Sequence, residues 1–168
     1  RIVESLIPAY RFSSAWCFSK TEGTIIDEYI IDYDEYAGLG SGSIGYLNGV
    51  CYANTFSIAD YITRVNRGEM PLASSRHFSF SDRIRYDFLL KLFGLTVNVD
   101  SLRSKYSRSV YRHLWPLILG FFLAGGLRFH PPYLSLTKRG RYQWVIIMRE
   151  FFIAVNNFRD FCRAGIMP

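Results

Sequence analysis

The stretch from Gly38 to Thr55, GLGSGSIGYLNGVCYANT, decides how the rest of this 168-residue chain is read. Gly38, Gly40, Gly42 and Gly45 fall within eight positions with Ser41 and Ser43 between them, so backbone there can bend freely or approach a ligand closely. The stretch continues into Leu47-Asn48-Gly49-Val50, in which Asn-Gly suits a two-residue hairpin turn with positive φ. Before it, Glu28-Tyr29-Ile30-Ile31-Asp32-Tyr33 has strand character. The glycines are therefore expected at a strand end, where ligands often meet a sheet.

Working outward, Tyr10 to Ser19 is aromatic-rich and Ile25 to Tyr33 is β-branched and aromatic; both predict extended segments. On the other side, Ser57 is the expected N-cap of a helix through Arg67, with Ile58, Tyr61, Ile62 and Val65 at helical spacing and Gly68 just past its end. Glu69 to Phe80 lacks periodicity and holds Pro71 and three serines, which predicts a linker.

Beyond it Ser81 is expected to cap a helix whose apolar stripe is Ile84, Phe88, Leu89, Leu92 and Phe93, stopped by Gly94. A short helix follows Asp100, and a third runs from Val110 to Ala124 with Pro116 opening or kinking it. Leu127 to Phe129 and Tyr133 to Leu136 read as two short strands around His130-Pro131-Pro132. Three helices and a small hairpin make a winged-helix pattern. The last element, Thr137 to about Arg163, is apolar on nearly every side between Tyr142 and Val155, which predicts a helix buried between two bodies. Trp16, Trp115 and Trp144 are expected in the core.

Composition bounds the rest. With 49% hydrophobic and 17% aromatic residues the chain can bury a sizeable core. Cys17, Cys51 and Cys162 are scattered and odd in number, so neither a disulfide frame nor a metal site is indicated, and a reducing, cytoplasmic setting fits. The longest apolar run, Leu114 to Leu127, holds Pro116 and three glycines. It falls short of the roughly 20 residues of a membrane span. Residues 1–80 carry 6 basic and 9 acidic side chains, residues 81–168 carry 14 and 5, and 16 of the 20 cations are arginine. Arginine suits bidentate recognition of carboxylate or phosphate. The chain opens on RIVESLIPAYRF with neither initiator Met nor capping box, and is expected to continue a longer protein whose N-terminal portion is its partner.

Two further sets of residues are candidates. Arg149, Asn156, Arg159 and Arg163 are separated by 7, 3 and 4 residues and share one face of the last helix. They serve either as anion receptors or in structural pairs with Glu150, Asp160, Asp32 or Asp34. His77, His113 and His130 have no metal-ligand spacing, and the Asp27-Glu28 and Asp34-Glu35 pairs read as solvated. No catalytic and no metal-binding residue is assigned.

Taken together, Ser14-Ala15-Trp16-Cys17-Phe18-Ser19, the Gly38–Thr55 stretch, the RIRYDFLLKLFG helix, LTKRGRY, WVIIMREFF and VNNFR resemble the radical SAM family of oxygen-independent coproporphyrinogen III oxidase-like proteins. The resemblance implies an α+β fold: residues 1–70 as the last strands and helix of a partial (β/α) barrel, 71–80 as linker, and 81–168 as a helical, winged-helix-like C-terminal domain. It implies S-adenosylmethionine beside Gly40, Gly42, Ser43 and Ile44, with Ile44 packed on the adenine. It also makes Arg149, Asn156 and Arg159 receptors for the propionates of a tetrapyrrole. The family's [4Fe-4S] cluster sits on CxxxCxxC, which this chain lacks, so cofactor and cluster belong to the full-length protein and this segment alone is expected to bind neither and to be inactive. The haem-chaperone motif HNxxYW is also missing, since the corresponding Ile26 to Ile31 has neither its His nor its Trp.

The leading expectation is the C-terminal part of an oxidoreductase that decarboxylates coproporphyrinogen III propionates in haem biosynthesis. A non-catalytic tetrapyrrole- or haem-handling homologue is one alternative. A winged-helix nucleic-acid-binding module is another, disfavoured because the third helix, LWPLILGFFLAGG, lacks base-reading residues.

Overall fold

A computed structural model of the chain describes residues 9–20 and 35–164, so the extended segment expected at Ile25–Tyr33 lies outside the described residues. The chain mixes helix and sheet and divides into two compact units, Arg1–Asp32 with Ile84–Met148 and Tyr33–Arg83 with Arg149–Pro168.

The unit holding the glycine stretch is built on an antiparallel sheet of β3 (Ile44–Leu47), β4 (Val50–Asn54) and β5 (Leu72–His77) in that order. Asn48 and Gly49 both take positive φ (48° and 78°), as a two-residue hairpin turn with right-handed strand twist requires, and Leu47 pairs with Val50. After β4 comes α1 (Ile58–Asn66), capped by Ser57 Oγ, which accepts from the Asp60 N–H at 3.3 Å, and closed by Gly68 at φ +72°. An Arg64–Asp60 pair at 2.9 Å links its turns.

Leu72–His77, within the stretch expected to be aperiodic linker, is a strand. Ser74, Ser75, Arg76 and His77 pair with Ala53, Tyr52, Cys51 and Val50, so the free edge of β4 makes this strand, not a buried face of its own. The apolar stripe of α1 is present but stays exposed at Ile58, Ile62 and Val65.

In the other unit, Tyr10–Ser19 is not one strand. β1 (Arg11–Phe12) and β2 (Phe18–Ser19) fold back on each other because the Cys17 N–H donates to Ser14 Oγ at 3.1 Å and Cys17 O accepts from Ser13 N–H. α2 (Phe80–Phe93) crosses the division between units and is capped by Ser79, two residues before the expected Ser81: Ser79 Oγ accepts from the Asp82 N–H and donates to Asp82 Oδ2. Then follow β6 (Thr96–Asn98), α3 (Val99–Tyr106) capped by Asn98, α4 (Ser109–Leu123) with Pro116 inside it, β7 (Leu127–His130) and β8 (Tyr133–Leu136). The strands form an antiparallel sheet in the order β6-β8-β7.

The core of this unit gathers Ile84, Phe88, Leu92, Phe93, Val97, Leu102, Val110 and Trp144. Phe93 stacks on Trp144 at 4.8 Å, Trp16 meets both rings edge-on, and the Trp144 indole N–H donates to Leu89 O at 2.7 Å. Trp115 departs from expectation: it is 59% exposed, because Val110, Leu114 and Phe121 form the core side of α4 and Trp115 points away from it.

α5 (Lys138–Ala164) also departs from expectation. The buried positions are Gly140, Trp144, Met148 and Cys162, which lie on one stripe, whereas Tyr142, Ile146 and Ile153 are exposed, so the helix is not covered on every side. Gly140 lets α5 start where it does: a Cβ there would stand 1.8 Å from Gly126 O. Among the described residues no helix is long and apolar enough to cross a membrane.

Candidate functional site: the glycine loop

The Asn-Gly turn sets a register in which Asn54 comes opposite Ser43, and the Asn54 N–H donates to Ser43 O at 2.9 Å. That register puts a polar side chain, only 3% exposed, against the glycine loop. Asn54 Nδ2 donates to Gly38 O at 3.0 Å, Gly40 O at 3.2 Å and Ser43 Oγ at 3.0 Å. The Ser43 hydroxyl in turn donates to Gly40 O at 2.7 Å.

Two tyrosines hold the loop's donors. Gly38 N–H donates to Tyr52 Oη at 3.1 Å and Gly40 N–H to Tyr61 Oη, from α1, at 3.0 Å. Thr55 O accepts from Gly42 N–H at 2.9 Å and from the Ser41 hydroxyl at 2.8 Å.

The structure thus brings Gly40, Gly42 and Ser43 into one turn, with Ile44 opening β3 opposite Ala53. Their environments differ. At Gly42 (φ +71°) a Cβ would fall 2.7 Å from the Phe56 ring. At Gly40 (φ +98°) it would meet no heavy atom within 4 Å, so glycine there answers to backbone conformation and leaves an open surface beside Leu39, 85% exposed.

The N–H groups of Gly38, Gly40, Gly42 and Ser43 are all engaged inside the chain. At Gly40 the loop offers a ligand a wall without a side chain. Flat or apolar atoms suit such a wall.

Arg149, Asn156 and Arg159 all lie exposed along α5, with Arg149 Nε 3.7 Å from Glu150 Oε1. Arg163 is the member of that face that reaches the loop's surroundings. Its guanidinium stands 5.1 Å from the centroid of Phe56, the ring against Gly42, and its Nη1 lies 4.0 Å from Asp160.

Beside the loop, Arg64 holds the Asp60 carboxyl below its ordinary value. On β4, burial pushes the Cys51 thiol up against the opposing charge of Arg76. Among the described residues no three His, Cys, Asp or Glu side chains converge as metal ligands. An iron–sulfur cluster therefore finds no ligand set there, while the open wall at Gly40 is compatible with a flat ring.

Residue pattern alone did not reveal Tyr52, Phe56, Tyr61 and Asn54 as the loop's supports. Asn54 was accessible from the hairpin register; the tyrosine contacts depend on tertiary placement 14 and 21 residues away.

No family model matches this sequence. In fold, the chain resembles part of a solved coproporphyrinogen III oxidase from Escherichia coli, described as a radical SAM enzyme, with a TM-score of 0.54 and 12% identity over 85% of this chain and 37% of that one. In sequence, it is similar to the oxygen-independent coproporphyrinogen III oxidase of Pseudomonas aeruginosa, 23% identical over 111 residues, which is 64% of this chain. The chain spans about a quarter of that relative, the matched part being 24%.

Proposed function

We infer that this chain is the C-terminal portion of a radical SAM oxidoreductase that acts on a tetrapyrrole, by oxidative decarboxylation of coproporphyrinogen III propionates in the cytoplasm. The observation that carries the reading is the agreement of sequence and fold: both likenesses fall on the same kind of enzyme. In this reading the 35–70 region supplies closing strands of a partial barrel, and the helix-strand-helix-helix-strand-strand order after residue 80 is a winged-helix-like domain.

S-adenosylmethionine lies against Gly40, Gly42, Ser43 and Ile44, with its adenine on the open wall that Asn54 and Tyr61 hold in shape. Bound S-adenosylmethionine supplies the radical chemistry; these residues orient it and exclude water. The cluster belongs to another part of the protein, because the sequence has no CxxxCxxC. Arg149, Asn156 and Arg159 present donors for propionate carboxylates from the exposed face of α5. A nucleic-acid role fits less well, since Tyr111, Trp115, Leu119, Phe122 and Leu123 dominate the exposed side of α4, where Arg112 alone could read a base.

Anaerobic expression of the gene product containing this chain tests the reading. Visible iron–sulfur absorbance and reductive cleavage of S-adenosylmethionine are expected there, and neither from the 168-residue chain alone. A gene product without cluster or cleavage, or a cluster bound tightly by this chain, would overturn it.

A further inference from the structure

In the Ile84–Met148 unit, α4 and α5 leave a groove of about 340 Å³ between them, floored by Pro116 and Gly120 on α4, by Ala124 at its C-cap, and by Gln143, Ile146 and Ile147 on α5. Its only polar lining side chain, Gln143, turns its amide inward to donate to Ala124 O at 3.1 Å. The surface presented is apolar, and Trp115, Leu119 and Leu123, the last 81% exposed, continue it along α4.

Gly120 is the informative residue. Glycine inside a helix costs about 1 kcal/mol against alanine, so a helix normally keeps it for a reason. A Cβ at Gly120 would meet nothing within 4 Å, and its φ is not positive, so neither packing within the chain nor backbone conformation asks for glycine. What the missing side chain does is deepen the groove by one notch, a turn away from Ala124.

Charge then selects the occupant. From Ser101 to Met148 the sequence holds eight Lys and Arg and not one Asp or Glu. Arg112 lies one turn before Pro116 on α4 and Arg139 one turn before Gln143 on α5, both exposed, so a cation stands beyond each helix's contribution to the groove. Arg112 to Leu123 spans about 18 Å of helix, the length of a three-turn partner.

We propose that this groove docks an amphipathic α-helix of a partner protein, apolar on the side that enters over Gly120 and acidic at its ends, where Arg112 and Arg139 receive it. The binding mode is a helix laid into a groove, with anchors at i, i+3, i+4 and i+7 and charge setting orientation. A flat anionic membrane would use the cations and Trp115 but leaves the concavity and the Gly120 notch without a role. This proposal is independent of the cofactor reading.

The test uses the whole chain and two fluorescein-labelled peptides of about 16 residues, long enough to cover the groove. Both carry leucines at i, i+3, i+4 and i+7; one is flanked by Glu and the other by Lys. Fluorescence anisotropy should show the Glu peptide binding at least about tenfold more tightly, with affinity falling as salt screens the ends. Gly120→Leu, which fills the notch and favours helix, should keep the melting temperature or raise it while lowering Glu-peptide affinity about tenfold or more. Arg112→Glu with Arg139→Glu should turn the preference toward the Lys peptide.

Equal binding of both peptides, no binding of either, or a Gly120→Leu chain that binds as before would overturn the proposal. So would vesicles of phosphatidylcholine and phosphatidylglycerol that bind the chain and are not displaced by the Glu peptide, which would mark a membrane face. A dimer of the chain alone that Gly120→Leu dissociates would assign the groove to a second copy instead.

Discussion

Asn54 Nδ2 donates to the carbonyl of Gly40 at 3.2 Å, and the same amide also reaches Gly38 O and Ser43 Oγ, so one buried side chain ties three points of the glycine loop together. Glycines make the loop possible; Asn54 makes it one loop rather than many. Asn54→Ala removes the amide donor from Gly38 O, while Gly40 O keeps the Ser43 hydroxyl as a donor, and one unmade part-buried hydrogen bond costs on the order of 1 kcal/mol. The expected outcome is a loss of about 1 kcal/mol in urea unfolding, with faster amide exchange at Gly40 and Gly42 than at β4. Unchanged stability would mean that Tyr52 and Tyr61 suffice to hold the loop.

The second prediction concerns the start of α5. An alanine Cβ at Gly140 would stand 1.8 Å from Gly126 O, a backbone atom that cannot rotate away. Relief requires moving the helix or the β7 approach, so Gly140→Ala should destabilise by about 3 kcal/mol or more. The check is a thermal melt followed by circular dichroism.

What could be seen in advance and what could not follows from range. The Asn48-Gly49 hairpin, the Ser57 cap with Gly68 beyond it, and the apolar stripe of α2 are written within a few residues of where they act, and each formed where expected. Leu72–His77 gave no local sign because a serine-rich strand at a sheet edge is made by its neighbour's hydrogen bonds. α5 looked buried all round because composition cannot say which apolar faces a chain covers itself; Trp115 failed for the same reason. Within the site, the glycines and Ile44 were visible as a motif. Phe56, Tyr61 and Arg163 were not seen as part of it, because a tyrosine bonded to Gly40 and an arginine over a phenylalanine leave no periodic trace.

Ser107 offers a stabilising test. It terminates α3 at φ 57° and ψ −164°, a region that costs a side-chain-bearing residue about 1–3 kcal/mol and glycine little. Ser107 is exposed, so no packing is lost on removing its side chain. Ser107→Gly should therefore raise stability by about 1 kcal/mol despite the extra freedom glycine gives the unfolded chain. A lower denaturation midpoint would show that the hydroxyl contributes more than the strain removes.

The last prediction follows from Asp87, only 3% exposed on α2, which accepts from Lys105 Nζ at 2.6 Å and from the Tyr106 hydroxyl. The pair ties α2 to the end of α3. Burial first, then the hydrogen bond and the negative charge of Asp87, push the Tyr106 hydroxyl well above its ordinary value. Because the folded-state value is raised, its stabilisation is fully present below the unfolded tyrosine value near 10 and is lost as pH rises above it. Melting temperature should thus fall between about pH 10 and pH 12, and Tyr106→Phe should flatten that decline while lowering stability at neutral pH through the lost hydrogen bond. Asp87→Asn separates the terms: it keeps an acceptor for Tyr106 but removes the charge that Lys105 faces, so part of the alkaline slope should persist from burial alone. An alkaline slope identical in wild type and Tyr106→Phe would assign the loss to other groups and leave Tyr106 a packing residue only.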